Sequence, residues 1–320
     1  MSGAGSFQER RIDLTITLGQ GAFGNSGANT VKLSNLRIKA DILKQGSPGF
    51  DKAVVRAYGV QPHVMNEIST LGIPLNMWRY GNNLLVEAGD AVNGMAIVFN
   101  GTLHRAWQDF DEAPETALVM EAWGGQTAAI APAKPVSYPG SASVATILQN
   151  IAATQGWNFE NNGVNTFLEN EYLAGTATQQ FQQVGRDAGI NVILDSGTNP
   201  PTLVATPRNM TRGGLVPLIS ATTGLVGYPK FQDYGMSFRC IFNPNIRLHG
   251  QIEMQSTTGP STPQTITLNQ PGQPATPTVV GPNGFWYVVS PLTYDLAAQL
   301  PGGPWFTNVS CQRVDGPGKA

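Results

Sequence analysis

Residues 18–24, Leu18-Gly-Gln-Gly-Ala-Phe-Gly24, carry the glycine spacing with which a strand-to-helix turn cradles phosphates. That chemistry needs a helix to follow Gly24, so that its first amides meet the anion. Residues 25–30, Asn-Ser-Gly-Ala-Asn-Thr, read as a turn instead. The same core opens a kinase glycine loop, but the partner motifs fail. His104-Arg105 runs into Ala106 where the catalytic Asp belongs, and Asp109-Phe110 runs into Asp111. Ala113-Pro-Glu115 follows within twelve residues, too close to leave a catalytic loop. The three histidines, His63, His104 and His249, stand apart from one another and from metal-ligand spacing. The acidic run Asp109, Asp111, Glu112, Glu115 lacks the central Gly and closing bidentate Glu of a calcium loop, so it reads as a solvated connection. Cys240 and Cys311 sit in apolar strand-like runs and read as buried small hydrophobes. The sequence assigns no catalytic, cofactor-binding or metal-binding residue, and no cofactor.

The elements that would position such residues are mostly strands. Ile12, Leu14, Ile16 and Leu18 alternate with polar residues, and residues 31–42 continue the alternation through Leu36, Ile38, Ala40 and Ile42. A short helix is expected over 62–70 behind Pro62, and strands near 83–88, 94–105 and 116–123, with Asp90–Gly94 as a hairpin connection. Residues 124–142, with Pro132, Pro135 and Pro139, read as a linker, because proline cannot donate to a ladder. Val144, Ile147, Leu148, Ile151 and Ala152 then predict a helix, capped by Ser141 or Ser143 and ended by Gly156, with a strand through Trp157 and Phe159. Thr176 and Gln179 have capping-box spacing ahead of a second helix that Gly189 ends, followed by strands at 190–194 and 203–206. Beyond Gly213, Met236, Phe238, Cys240 and Phe242 alternate up to Asn243-Pro-Asn245, and Ile246, Leu248, Ile252 and Met254 alternate after it, predicting a long hairpin. A last hairpin is expected between 285–296 and 305–314, turning through Pro301-Gly-Gly-Pro304.

Composition narrows the class. Lys and Arg number 19 against 21 Asp and Glu, a net charge of −2, and charged residues make up only 12% of 320. No basic stripe exists to clamp phosphates. Hydrophobic residues at 41% can build a core, and no apolar run reaches the ~18 residues of a membrane span. The first six residues carry no basic-then-apolar secretory pattern, so synthesis in a cytoplasm is expected.

From about residue 141 onward the chain resembles the baseplate hub proteins of tailed bacteriophages. The resemblance rests on ordered blocks: Ser143–Ala153 with Gly156–Phe159, Tyr172–Thr176 with Ala188–Asn191, and Val216–Ser220. It continues through Gly224-Leu225-Val226-Gly227-Tyr228-Pro229 and Phe242-Asn243-Pro244-Asn245-Ile246 with Gly250, then the closing hairpin. The family is related in architecture to the spike proteins of type VI secretion systems. The resemblance implies an α+β, mainly β fold: two tube-like antiparallel β domains with a small inserted α/β domain. Their expected extents are 1–130, 136–208 and 210–320, the last with a Pro/Thr-rich loop at 257–283. It implies a structural subunit, not an enzyme, forming a homotrimeric ring that adapts a hexameric tail tube to a central spike and passes DNA without specific binding. The implied partners are the other subunits, the tail tube or distal tail protein, the spike, other baseplate proteins and a tape-measure protein, all within the virion tail. Gly224, Leu225, Val226, Gly227, Pro229, Phe242, Asn243, Pro244, Ile246 and Gly250 are the expected assembly residues. Two competing readings are a carbohydrate-binding receptor module of a tail, motivated by dispersed Trp and Tyr on strands, and a cell-wall hydrolase carried in the hub.

Overall fold

The computed structural model describes residues 9–24, 27–46, 48–70, 81–111, 113–208, 210–232, 235–256 and 282–313. The first β region holds β1 (Arg10–Thr17), β2 (Thr30–Leu33), β3 (Ile38–Lys44), β4 (Lys52–Tyr58), helix α1 (Pro62–Ile68), β5 (Asn83–Asp90), β6 (Gly94–Asp109) and β7 (Ala117–Trp123). Next come α2 (Gln126–Ile130), β8 (Val136–Ser143), α3 (Val144–Gln155), β9 (Asn158–Asn161), β10 (Phe167–Leu173), α4 (Ala177–Asp187), β11 (Ile190–Asp195) and β12 (Thr202–Pro207). The second β region holds β13 (Leu218–Ser220), β14 (Leu225–Gln232), β15 (Gly235–Ile241), β16 (Gln251–Gln255), β17 (Gly284–Ala298) and β18 (Trp305–Arg313). The fold is mainly β, as the sequence implies.

Both β regions share one 13-stranded sheet in the order β14-β15-β18-β17-β3-β4-β7-β6-β5-β1-β2, with β16 on β17 and β13 on β16. The junction is β17 against β3, where Leu292–Ala298 pair antiparallel with Lys44–Ile38. The alternating apolar positions build its core. Ile12, Leu14 and Ile16 of β1 pack in one cluster with Ile38, Ala40 and Ile42 of β3 and with Met236, Cys240, Val288 and Val309 of the second region. Cys240 and Cys311 are both buried, and burial pushes each thiol up to about 12, so they behave as small apolar side chains.

The inserted region has its own core. Val144, Ile147, Leu148 and Ile151 of α3 meet Phe181 and Val184 of α4 over Val192 and Leu203. Beneath the helices runs a three-stranded sheet, β11-β12-β9, in which β9 and β12 are parallel. Gly156 at φ 70° ends α3, as a left-handed cap requires. The capping box at α4 is complete: Thr176 Oγ1 accepts from Gln179 N, and Gln179 Oε1 accepts from Thr176 N. Thr176→Ala should lower stability by about 1 kcal/mol. Urea unfolding checks this, and an unchanged midpoint would show that the box contributes nothing.

Three expectations need correction. Residues 31–42 are not one strand, because Asn35 at φ 58° breaks the run between β2 and β3. Residues 124–142 are not a linker, since α2 and β8 lie there and β8 pairs with β10. Pro139 is tolerated because the register slips around it: Tyr138 faces Glu171 and Ser141 faces Glu169, so the missing N–H falls at a bulge. The long hairpin across Asn243–Asn245 is also absent. β15 pairs with β14 and β18, whereas β16 pairs with β17 and β13. Asn243 Oδ1 accepts from Asn245 N (3.0 Å), and the chain then turns inward to bury Ile246 and Leu248 instead of returning beside β15. Most of the 257–283 loop, residues 257–281, lies outside the described residues, as does residue 314 of the last hairpin.

Candidate assembly surface

The expected assembly residues separate into two places. Gly224 to Pro229 enter and follow β14, the strand at one end of the sheet. Gly224, at φ 107°, comes so close to Ile241 that a Cβ would lie 3.2 Å from its Cβ, and its carbonyl accepts from Ile241 N at 2.8 Å. Leu225 packs partly into the core. Val226 faces Arg239, and the register then breaks before Lys230 faces Ser237. Gly227, at φ 72°, and Pro229 occupy that bulge. A bulge and a proline are what keep an edge strand from pairing indiscriminately. Between and beyond them Tyr228 (70% exposed) and Phe231 (58%) project from β14.

Phe242, Asn243, Pro244, Ile246 and Gly250 lie elsewhere, where the second β region meets the inserted one. The Phe242 ring stands edge-on to Tyr294 and Trp305 at 5.6 and 5.3 Å between centroids. Asn243 N donates to Thr307 Oγ1, and the Ile246 carbonyl accepts from the Tyr294 hydroxyl. Gly250 bridges backbone to backbone with Arg212. Pro244 lines a cavity of about 290 Å3 that Lys44, Asp195 and Arg247 also line. The Asn-Pro-Asn turn therefore plugs a seam and does not form a hairpin.

Sequence reasoning missed the charged groups of that seam. Lys44 Nζ donates to Asp51 Oδ2 (3.0 Å), Asp195 Oδ1 (3.1 Å) and Ser196 Oγ (2.8 Å), with only 6% of its side chain exposed. Arg212 Nη1 reaches Asp195 Oδ2 at 2.6 Å, and its Nε and Nη2 fork onto Glu160 at 2.9 and 2.7 Å. Burial alone would lower the Lys44 pKa, but the charges of Asp51 and Asp195 outweigh it and hold the ammonium above its ordinary value. Burial would likewise raise Asp195, and Lys44 and Arg212 reverse this and hold it well below the carboxylate range. His249 goes the other way: burial and then Arg212 lower it to about 4, so its ring is neutral at pH 7. The signal was present in the parity of β3. Lys44 follows Ile38, Ala40 and Ile42 on the buried side, and a lysine there demands buried carboxylates.

The other face of the shared sheet mixes charged and polar residues with apolar ones. Register aligns Arg239, Asn308, Thr293, Leu43, Lys52 and Trp123 in one row across six strands. A second row runs Ile241, Phe306, Asp295, Asp41, Val54 and Glu121. The cations here are already engaged. Lys39 meets Asp41 at 3.4 Å and Arg56 meets Asp109 at 2.8 Å. Arg239 donates to Asn308 and lies over the Phe306 ring, and Lys52 lies over Trp123. Asp295 is held above its usual range by burial and by Asp41 opposite it.

The glycine-spaced loop joins β1 to β2, a strand, and Gly19 N donates to Asn82 Oδ1. His104 stacks on Trp123 and His63 is exposed on α1. Among the described residues no group of three metal-ligating side chains comes together.

The family profile for the baseplate hub gp41 matches residues 11–270. The chain belongs to the baseplate hub gp41 family. It is thus a structural component of a phage tail baseplate by family. Among curated protein sequences none matches this hub chain. Its fold is shared by a tail protein from Neisseria meningitidis MC58, with a TM-score of 0.57 at 8% identity over 94% of this chain and 96% of that one. A 43 kDa tail protein of prophage MuSo2 from Shewanella oneidensis has a TM-score of 0.54 at 9% identity over 96% and 97%. The E. coli c3393 protein, described as a type VI secretion component similar in structure to phage T4 tail proteins gp27 and gp5, has 0.52 at 8% over 87% and 73%. These likenesses establish a fold common to phage tails and a type VI secretion component. Among the described residues no helix is long and apolar enough to cross a membrane.

Proposed function

We propose that three copies of this hub chain close into a ring that joins the tail tube to the central spike and lets DNA pass. The observation that carries this is the sheet's termination at β14, an edge strand presenting Val226, Tyr228 and Phe231 outward. At the other end β2 pairs only with β1 among the described strands. A head-to-tail contact of unlike edges makes a closed ring when the rotation closes, and closure removes both edges. Residues 1–130 and 210–320 would each supply one tube-like domain, six per ring, with 136–208 at the periphery. The sheet face carrying these rows fits the wall of a DNA conduit. Its lysines and arginines are engaged by neighbouring carboxylates, an amide or rings, which leaves little to bind phosphate. The tail tube or distal tail protein, the spike, other baseplate proteins and a tape-measure protein are the partners this reading gives the ring, in the virion.

Mass photometry with and without the tube and spike proteins tests it. Trimers are expected, and Tyr228→Asp with Phe231→Asp should weaken trimerisation by at least about 2 kcal/mol, as loss of an aromatic anchor does. Both side chains are exposed, and an unchanged melting temperature of the variant separates an assembly defect from misfolding. A chain that stays monomeric with every partner present overturns the reading.

A further inference from the structure

Two arginines outside the ion-pair networks lie away from β14 and β2. A cleft of about 340 Å3 opens between the last turn of α4, β11 and the segment around His249. Its floor is apolar, formed by the buried Ile190, Val192 and Ile193. Its lining includes Arg186 and Arg208, with Gln182 and Asn191 as amide groups. Arg186 and Arg208 are exposed, and among the described residues neither forms an ion pair, unlike Lys44 and Arg212 nearby. Asp187 follows Arg186 on α4, but successive helical residues point about 100° apart, so it does not face the same way. Two guanidinium forks suit the planar oxygens of a carboxylate. The volume is at the small end of the roughly 300–1,000 Å3 of ligand sites, enough for a few side chains and not for a folded surface.

We propose that this cleft docks an acidic peptide segment of a partner protein, with its carboxylates between Arg186 and Arg208 and an adjacent apolar side chain on Ile190 and Val192. The charge complementarity and the apolar floor select that occupant over a bare anion, which would leave the floor uncovered. The proposal does not depend on ring formation.

The test is calorimetric titration with three probes: a blocked Asp-Leu-Glu-Leu tetrapeptide, its Asn-Leu-Gln-Leu counterpart, and inorganic phosphate. The acidic peptide should bind at least tenfold more tightly than the amide peptide and than phosphate. Arg186→Ala with Arg208→Ala should weaken it at least tenfold with no change in melting temperature. Lys134→Ala, an exposed cation outside the cleft, should leave binding unchanged. Absence of acidic-peptide binding, equal binding of the two peptides, or binding unaffected by the double variant overturns the proposal. Phosphate binding as tightly as the peptide would make the site a simple anion site and overturn the peptide assignment.

Discussion

Lys44→Met should destabilise the protein by about 3–5 kcal/mol, because it removes the cation that two buried carboxylates share. Asp51 and Asp195 keep only 4% and 13% of their side chains exposed, so bulk water replaces the ammonium poorly. Asp195 retains Arg212, but Asp51 keeps only Ser196 and backbone amides. Urea unfolding followed by tryptophan fluorescence measures the loss, and a change below about 1 kcal/mol would show the pair to be dispensable. Lys44→Met combined with Asp51→Asn should lose less than the sum of the two single changes, by about 0.5–3 kcal/mol, since the residues act as one network. The pH dependence follows from the same groups. Asp195 is depressed in the folded state, so its contribution is complete above the unfolded carboxylate value of 3.8 and is lost as pH falls below it. Lys44 is raised, so its contribution is complete below 10.5 and is lost as pH rises above it. The seam should hold evenly between about pH 7 and 9, and it should weaken as pH falls below 6.5, where unfolding lets the buried neutral ring of His249 take up a proton.

Leu148→Ala should cost about 2–5 kcal/mol, the usual range for emptying a fully buried leucine site. Its effect should be local. Leu148 packs in the cluster of α3, α4 and β12, which is separate from the cluster shared by the two β regions. Native-state hydrogen exchange should show amides of α3, α4, β9 and β12 losing protection while those of β3, β4 and β17 keep theirs. Loss of protection spread evenly over all of them would mean that the two cores unfold as one.

Much of this architecture was legible because strands and helices write their periods into sequence. The alternation in β1, the i, i+3, i+4 spacing of α3 and the Thr176–Gln179 box each depend on neighbours a few residues apart. What was not legible depends on partners far along the chain. Residues on both sides of Asn243–Asn245 alternate like strands, yet β15 finds β18 and β16 finds β17, a choice made by distant segments competing for the same edges. Pro139 argued against a strand until a bulge in β8 absorbed it. The ten expected assembly residues fall in two separate places. The β14 block falls on a sheet edge, but the Phe242–Gly250 block belongs to an interior seam, and the ions of that seam come from positions as far apart as Lys44 and Arg212.

The ladder between β3 and β17 has a mechanical consequence. Seven residues of one β region pair with seven of the other, side by side and antiparallel. A load applied along those strands falls on all the interstrand bonds together, as shear, whereas a load that pried one end open would break them in turn. Along this ladder the two regions resist a load parallel to the strands together. Strain that would part the two regions along this ladder therefore has to break seven residue pairs at once.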